Sequence, residues 1–205
     1  MEDPTQVLVV GAGPVGLLCA FVLATADIKV TIVDAAREPE IGTRAVVIHA
    51  STLDVSGGIW CPSILTPSFY HIQALNAIGM ADDLVREGIP STGVQLYDGS
   101  NQLLTISNDL LRNKTDYPFI LFLPQHLTEH VLSRRLVDIG VKIHWQCKVV
   151  SMTPCDSGVQ VGFENGSSIT TQYVVGADGC RSTVRDYFSE DIEFLHNVEC
   201  RFERC

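Results

Sequence analysis

Basic residues are scarce in this chain: 14 Lys and Arg stand against 24 Asp and Glu, a formal net charge of −10. No Lys/Arg cluster offsets the deficit, so nucleic acid and anionic membrane surfaces are disfavoured partners. The seven cysteines, at 19, 61, 147, 155, 180, 200 and 205, include no C-x-x-C pair. An odd, scattered set on a chain without a secretion signal points to reduced thiols and a cytoplasmic setting. The N-terminus carries Glu2 and Asp3 in place of a basic n-region. Internal repeats and low-complexity segments are also missing. Two glycosylation sequons, Asn113-Lys114-Thr115 and Asn165-Gly166-Ser167, are without consequence for a cytoplasmic chain.

Apolar residues are plentiful. They make up 46% of the 205 residues, enough for one good core or a domain and a half. Val7 to Ala26 runs twenty residues without a charge, which by length alone would span a bilayer. Its first half, however, holds Gly11, Gly13, Pro14 and Gly16. A βαβ unit accounts for each of them, and no membrane span is expected.

That unit is the most informative feature of the chain. Val7-Leu8-Val9-Val10 reads as a strand and runs into G-x-G-x-x-G at Gly11, Gly13 and Gly16. An apolar helix pattern follows, containing Pro14 and Val15 at its start, then a strand from Lys29 to Val33, then Asp34. This order is that of a dinucleotide-binding fold. Gly11 would permit the tight turn. Gly13, lacking a Cβ, would let the backbone approach a pyrophosphate, and Gly16 would let the helix pack close to the strands. The helix N-terminus offers free N–H groups and a positive dipole end to phosphates. Asp34, eighteen positions after Gly16, is placed to accept hydrogen bonds from a ribose diol.

Beyond Asp34 the pattern predicts a helix-like stretch from Leu75 to Glu87 and a hairpin joining Val94–Tyr97 to Gln102–Ile106 through Asp98-Gly99-Ser100-Asn101. An apolar strand is expected over Tyr117–Leu123. Leu127, Val131, Leu132, Leu136 and Ile139 define one face of a helix from Gln125 to Ile139, closed by Gly140. One strand is expected over Val141–Val150. A second hairpin enters on Val159, Val161 and Phe163, turns at Asn165-Gly166 and leaves by an alternation from Ile169 to Val175.

Three further segments carry a resemblance. Gly42-Thr43-Arg44-Ala45 follows the βαβ unit. Leu123-Pro124-Gln125, with Glu129 and Leu132, opens the long helix. Tyr173-Val174-Val175-Gly176-Ala177-Asp178-Gly179-Cys180-Arg181-Ser182-Thr183-Val184-Arg185 ends a strand in an Asp-Gly turn. In this order they resemble the FAD-dependent aromatic hydroxylases, the single-component flavoprotein monooxygenases related to phenol and p-hydroxybenzoate hydroxylases. The resemblance runs from residue 6 to about 194 with one interruption. It implies an α/β fold: a Rossmann-like FAD-binding domain of the glutathione-reductase and aromatic-hydroxylase type, with the start of an inserted substrate-domain sheet. It also implies FAD as cofactor, NAD(P)H as co-substrate, O₂, and a phenolic or other aromatic substrate. Arg44, beside Ala45, would lie along the FAD pyrophosphate and ribose, where a guanidinium fork suits the contact. Gln125 would reach the FAD from its helix start. Asp178, with Gly179, would contact the ribitol or pyrophosphate region. No catalytic side chain is named, because the protein mostly positions and shields the cofactor's own chemistry.

Two departures accompany the resemblance. Joining His49–Asp54 directly to Ala74–Gly79 would restore a continuous helix, so Val55–Gln73 reads as an insertion: oily, aperiodic, and holding Gly57-Gly58, Pro62 and Pro67. It is either a retained intron or a genuine insertion lining a substrate entrance. The family's later Gly-Asp motif and most of its substrate sheet are not found in this sequence. The expected organisation is therefore 1–54 for the βαβ unit and Arg-Ala segment, 55–73 for the insertion, 90–112 for the first substrate-domain hairpin and 117–194 for the return to the FAD-binding domain. The expected chain is incomplete and inactive by itself. Two other readings stay open, a plain NAD(P)-dependent dehydrogenase and a non-enzymatic truncated paralogue or gene-model fragment. His126-Leu127-Thr128-Glu129-His130 also matches the H-x-x-E-H zinc pattern, but it falls inside the Pro-Gln helix and lacks an evident third ligand, so no metal is expected.

Overall fold

The computed structural model describes residues 5–39, 47–48, 75 and 79–188. In chain order its elements are β1 (Val7–Val10), α1 (Pro14–Thr25), β2 (Val30–Val33), β3 (Val47–Ile48), α2 (Ala81–Glu87), β4 (Ile89–Ser91), β5 (Gly93–Asp98), β6 (Asn101–Ser107), β7 (Ile120–Phe122), α3 (Gln125–Asp138), β8 (Lys142–His144), β9 (Val149–Cys155), β10 (Gly158–Phe163), β11 (Ser168–Thr171), β12 (Tyr173–Gly176) and α4 (Thr183–Phe188).

The centre is a parallel sheet in the order β12-β1-β2-β8. A strand with neighbours on both edges and layers on both faces must be apolar at every position, and β1 is Val-Leu-Val-Val with no residue more than 6% exposed. Strand alternation sends Val7 and Val9 into a cluster with Leu17, Ala20 and Phe21 of α1 and Val131, Leu132 and Leu136 of α3. It sends Leu8 and Val10 to the other face, against Val149, Met152, Val161 and Phe163 of the β9-β10-β11 meander and Val184 of α4. The fold is thus layered, α1 and α3 on one face of the parallel sheet and the antiparallel meander with α4 on the other. This is the α/β arrangement expected, and it leaves the C-terminal ends of β1, β2 and β12 pointing at a common rim.

Two smaller units complete the described residues. β3-β7-β4 form a short antiparallel sheet, and β5-β6 form a separate hairpin. α2 is tied to α3 through Asp83, which is 3% exposed and accepts a bond from Arg135 Nε at 2.6 Å. Arg86, one turn along α2, reaches the same carboxylate.

Several sequence boundaries shift. The stretch Val141–Val150 is two strands. β8 pairs with β2, and β9 belongs to the meander. Between them Gln146 adopts φ 58°, and its N–H and that of Cys147 donate to the carbonyls of Ala36 and Asp34; the chain leaves the parallel sheet by wrapping the residues after β2. The alternation from Ile169 to Val175 also breaks. Thr171 Oγ1 donates to the Gln6 carbonyl at 3.0 Å, β11 stays with β10, and β12 joins β1. Helix α2 begins only at Ala81, because Gly79 at φ 71° interrupts the stretch read from Leu75. β7 is shorter than Tyr117–Leu123; Pro118 has no N–H to donate, and Phe119 turns back to the Tyr117 carbonyl. The first hairpin, the turn and incoming strand of the second, and the start of α3 at Gln125 lie where the sequence placed them. The insertion 55–73, most of the proposed joined helix, and the residues after 188 lie outside the described residues.

Candidate dinucleotide site

The rim formed by the ends of β1, β2 and β12 is built from backbone. Gly11 sits at φ +108°, and a Cβ there would lie 2.3 Å from the Ala177 carbonyl oxygen. A Cβ on Gly16 would lie 1.9 Å from the Gly11 carbonyl oxygen and 3.2 Å from Ala177 Cβ. Gly16 therefore lets the first turn of α1 close over the Gly11 turn and the end of β12, a contact more local than the strand packing read from the sequence. The Gly11 N–H donates to Val33 at 2.8 Å and the Ala177 N–H to Val10 at 2.7 Å, locking the three strand ends together. Gly13 is different. No heavy atom lies within 4 Å of its would-be Cβ, so its backbone faces open space.

Gly13 is also the N-cap of α1, no side chain caps that helix, and Pro14 takes the first position. Proline loses nothing there, and the first-turn N–H groups beyond it have no intrahelical acceptor. With the helix dipole, such an end is suited to an anion. Val15, next in line, is 51% exposed and shows that this end opens to solvent.

Asp34 stands at the end of β2. Its Oδ2 accepts from the Ala12 N–H at 2.7 Å and its Oδ1 from the Ala36 N–H at 2.8 Å. Two backbone donors fix the carboxylate against the glycine turn, and an ionised carboxylate keeps further lone pairs for a ligand diol.

These groups line a cleft of about 400 Å³, a size suited to a small organic ligand. Gln125 and Asp178-Gly179 line the same cleft. Gln125 opens α3, and its Nε2 donates to Glu129 Oε1 at 2.7 Å. Asp178 uses both oxygens on its own loop: Oδ1 accepts from Ser182 Oγ at 2.5 Å, and Oδ2 from the N–H groups of Thr183 and Val184 at 2.7 and 3.2 Å. Its carboxylate shapes the turn into α4 at the cleft wall. Six of the predicted residues, Gly11, Gly13, Asp34, Gln125, Asp178 and Gly179, thus meet in one cleft, with Pro14, Val15 and Gly16 forming the helix start behind it. Arg44 and Ala45 lie outside the described residues.

Sequence reasoning missed Trp145, Cys147 and Lys148, which reach the cleft beside Asp34. They follow β8, and only its pairing with β2 brings them there. Lys148 is paired with Glu164 at 2.8 Å. Arg181 is exposed at the cleft and has no ion-pair partner among the described residues. The thiols with displaced pKa values lie elsewhere: burial pushes Cys19 up, and the Ser157 hydroxyl pulls the exposed Cys155 down. In the H-x-x-E-H stretch, His126 Nδ1 is buried without a hydrogen-bond partner and His130 is exposed. Among the described residues no group of three or more His, Cys, Asp or Glu is gathered to hold a metal, and no helix is long and apolar enough to cross a membrane.

Comparison with known proteins bears on what fills the cleft. A family model described as FAD binding domain matches residues 4–198. The chain is 34% identical over 187 residues to a 6-methylpretetramide 4-monooxygenase of Streptomyces rimosus, covering 90% of this chain and 30% of that protein. It is 27% identical over 190 residues to a para-nitrophenol 4-monooxygenase of a Pseudomonas strain, covering 90% and 42%. The crystal structure of the p-nitrophenol 4-monooxygenase PnpA of Pseudomonas putida superposes with a TM-score of 0.75 at 27% identity, covering 92% of this chain and 44% of that one. The chain therefore spans less than half the length of each of these relatives.

Proposed function

This chain belongs to the FAD binding domain family, and from that premise we propose that it is the cofactor-holding part of an NAD(P)H-dependent flavoprotein monooxygenase acting on an aromatic, phenol-like ring in the cytoplasm. The observation that carries the reading is the glycine-floored cleft, where an uncapped helix start and a backbone-fixed carboxylate meet. The residues fit the adenosine and pyrophosphate end of FAD. The first turn of α1 and the open face of Gly13 receive the pyrophosphate. Asp34 receives the ribose diol, with Arg44 proposed along the same path. Gln125 and Asp178-Gly179 continue the wall toward the ribitol.

When bound, FAD supplies the chemistry of the family: reduction by a pyridine nucleotide and activation of O₂ for transfer of one oxygen atom to the ring. The chain's own residues bind and orient it. Hairpin β5–β6 is the first piece of a sheet that would cover the reacting ring and exclude water. Hydroxylation by these 205 residues alone is not expected, since the chain spans 30–44% of the length of the monooxygenases it matches.

Calorimetric titration with FAD, ADP and NAD⁺ tests the reading. FAD binding that Asp34→Ala weakens supports it. Binding of NAD⁺ without FAD would favour the dehydrogenase reading, which accounts for Gly11 to Asp34 but not for the walls at Gln125 and Asp178.

A further inference from the structure

We propose that Glu129 is a positioning residue: its carboxylate fixes the amide of Gln125 so that Gln125 Oε1 is left to accept a hydrogen bond from a hydroxyl of the cofactor's polyol. The inference rests on the dinucleotide reading and assigns one wall of that cleft. Gln125 and Glu129 stand one turn apart at the start of α3, and both line the cleft. Their bond, Nε2 to Oε1 at 2.7 Å, is half-buried.

An amide can face a neighbour by either end, and the partner decides which. An ionised carboxylate only accepts, so the end of Gln125 that meets Glu129 must be the N–H₂. The carbonyl end is then fixed in the other direction. Among the described residues it has no donor. A ligand group facing that oxygen must itself donate.

Phosphate oxygens cannot donate, and sugar-alcohol hydroxyls can. The neighbouring groups repeat the logic. Glu129 and Asp178 are acceptors, and Asp178 is already turned toward donors of its own loop. The first turn of α1, which begins at the cleft-lining Gly13, presents N–H donors. Around Gln125 the wall therefore offers acceptors suited to hydroxyls, while Lys148 and Arg181 bring cations to the same cleft. Glu129 sets the sign of the wall through Gln125, without being the contact that reads the ligand.

The test compares FAD, which carries the polyol, with ADP, which does not, on the whole chain. Both Glu129→Ala and Glu129→Gln remove the charge, but only the glutamine keeps an acceptor for the Gln125 N–H. Glu129→Ala should lower the ratio of FAD to ADP affinity about three- to tenfold, the range of one neutral hydrogen bond. Glu129→Gln should give an intermediate ratio, since an amide pair populates both orientations. Gln125→Ala should lower the ratio similarly, and adding Glu129→Ala to it should change nothing more. Equal ratios for Glu129→Ala and Glu129→Gln, or a Glu129 effect that persists without Gln125, overturn the proposal. Failure of the unaltered chain to bind either ligand overturns the dinucleotide reading itself. Melting midpoints separate a folding defect from both outcomes: a destabilised variant that keeps the unaltered ratio also counts against a positioning role.

Discussion

The strands of the parallel sheet and those of the β5–β6 hairpin are written with the same kinds of residue, and they end in opposite environments. β1 is sealed between two layers, and Leu8 and Val9 have no exposed surface at all. β6 is exposed along its whole length. On one face of the hairpin Val94 pairs with Ile106 and Leu96 with Leu104, and Leu96, Leu104 and Ile106 remain 47–51% exposed. On the other face Tyr97 bonds Gln95 at 3.0 Å, a polar surface. Apart from the half-buried Val94, the apolar residues of the hairpin are thus left largely exposed. Local pattern makes a strand; burial comes from what is laid over it. A two-stranded unit alone is marginal in water, whereas the glycine rim stands inside a core that holds it on both sides.

The comparison breaks most visibly if the rim tolerates side chains. Gly16→Ala would place a methyl 1.9 Å from the Gly11 carbonyl oxygen. Backbone cannot yield as a flexible side chain can, so the cost should reach about 3 kcal/mol or more. Gly11→Ala adds a left-handed backbone to a Cβ 2.3 Å from the Ala177 carbonyl, a further cost of about 1–2 kcal/mol. Both variants should melt well below the parent in calorimetry and lose ADP binding together with the fold. A parent-like midpoint for Gly16→Ala would mean that α1 and the Gly11 turn are not in the described contact.

Asp34→Ala asks whether the rim is shape alone. The Ala12 and Ala36 N–H groups lose a shared acceptor, and a bound ribose loses a charged one. Charge-assisted bonds of this kind contribute about 1.5–3 kcal/mol, so ADP affinity should fall tenfold to more than a hundredfold. Unchanged affinity would take the ribose contact away from Asp34.

These effects also mark what the sequence disclosed. The βαβ unit was legible because one short segment carries strand pattern, glycine spacing and acid together, and Gly11, Gly13 and Asp34 line one cleft. That Gln125 and Asp178 would reach the same cleft was suggested only by resemblance; nothing in their own neighbourhoods says that α3 and β12 converge on β1. Trp145 and Lys148 were not legible, because their place depends on β8 pairing with β2, a long-range choice that local pattern does not encode. The split of Val141–Val150 was missed for the same reason. An apolar alternation continues through it, and only the hydrogen bonds of Gln146 and Cys147 to the chain after β2 show why it bends.

Asp83→Ala sharpens the contrast between the core and the cleft. The carboxylate is buried, but Arg86 and Arg135 are 70% and 43% exposed, and water screens their share of the pairing. We expect a loss of about 1–2 kcal/mol, less than for a fully buried pair, or a midpoint lower by roughly 2–8 °C in a chain of this size. ADP affinity should stay within twofold, since Asp83 does not line the cleft. A binding loss larger than the stability loss would show that α2 helps shape the site.

The smallest effect is expected where the apolar pattern is most conspicuous. Leu104→Lys changes a residue on the open face of the hairpin that is 48% exposed, and exposed substitutions away from special contacts fall within about 0.5 kcal/mol. The lysine should leave the midpoint and ADP affinity of this chain unchanged. It should raise the concentration at which the chain stays monodisperse in light scattering, because it breaks an apolar patch on a strand with an open edge. The matched control is Leu121→Ala in β7, a residue with no exposed surface, where a cavity should cost about 2–5 kcal/mol. If Leu104→Lys destabilised the chain as much as Leu121→Ala, the hairpin face would be part of the folded core, and the opposition between the two regions would fail. If instead the two variants separate as expected, the hairpin is a surface whose apolar side contributes nothing to the stability of the rim.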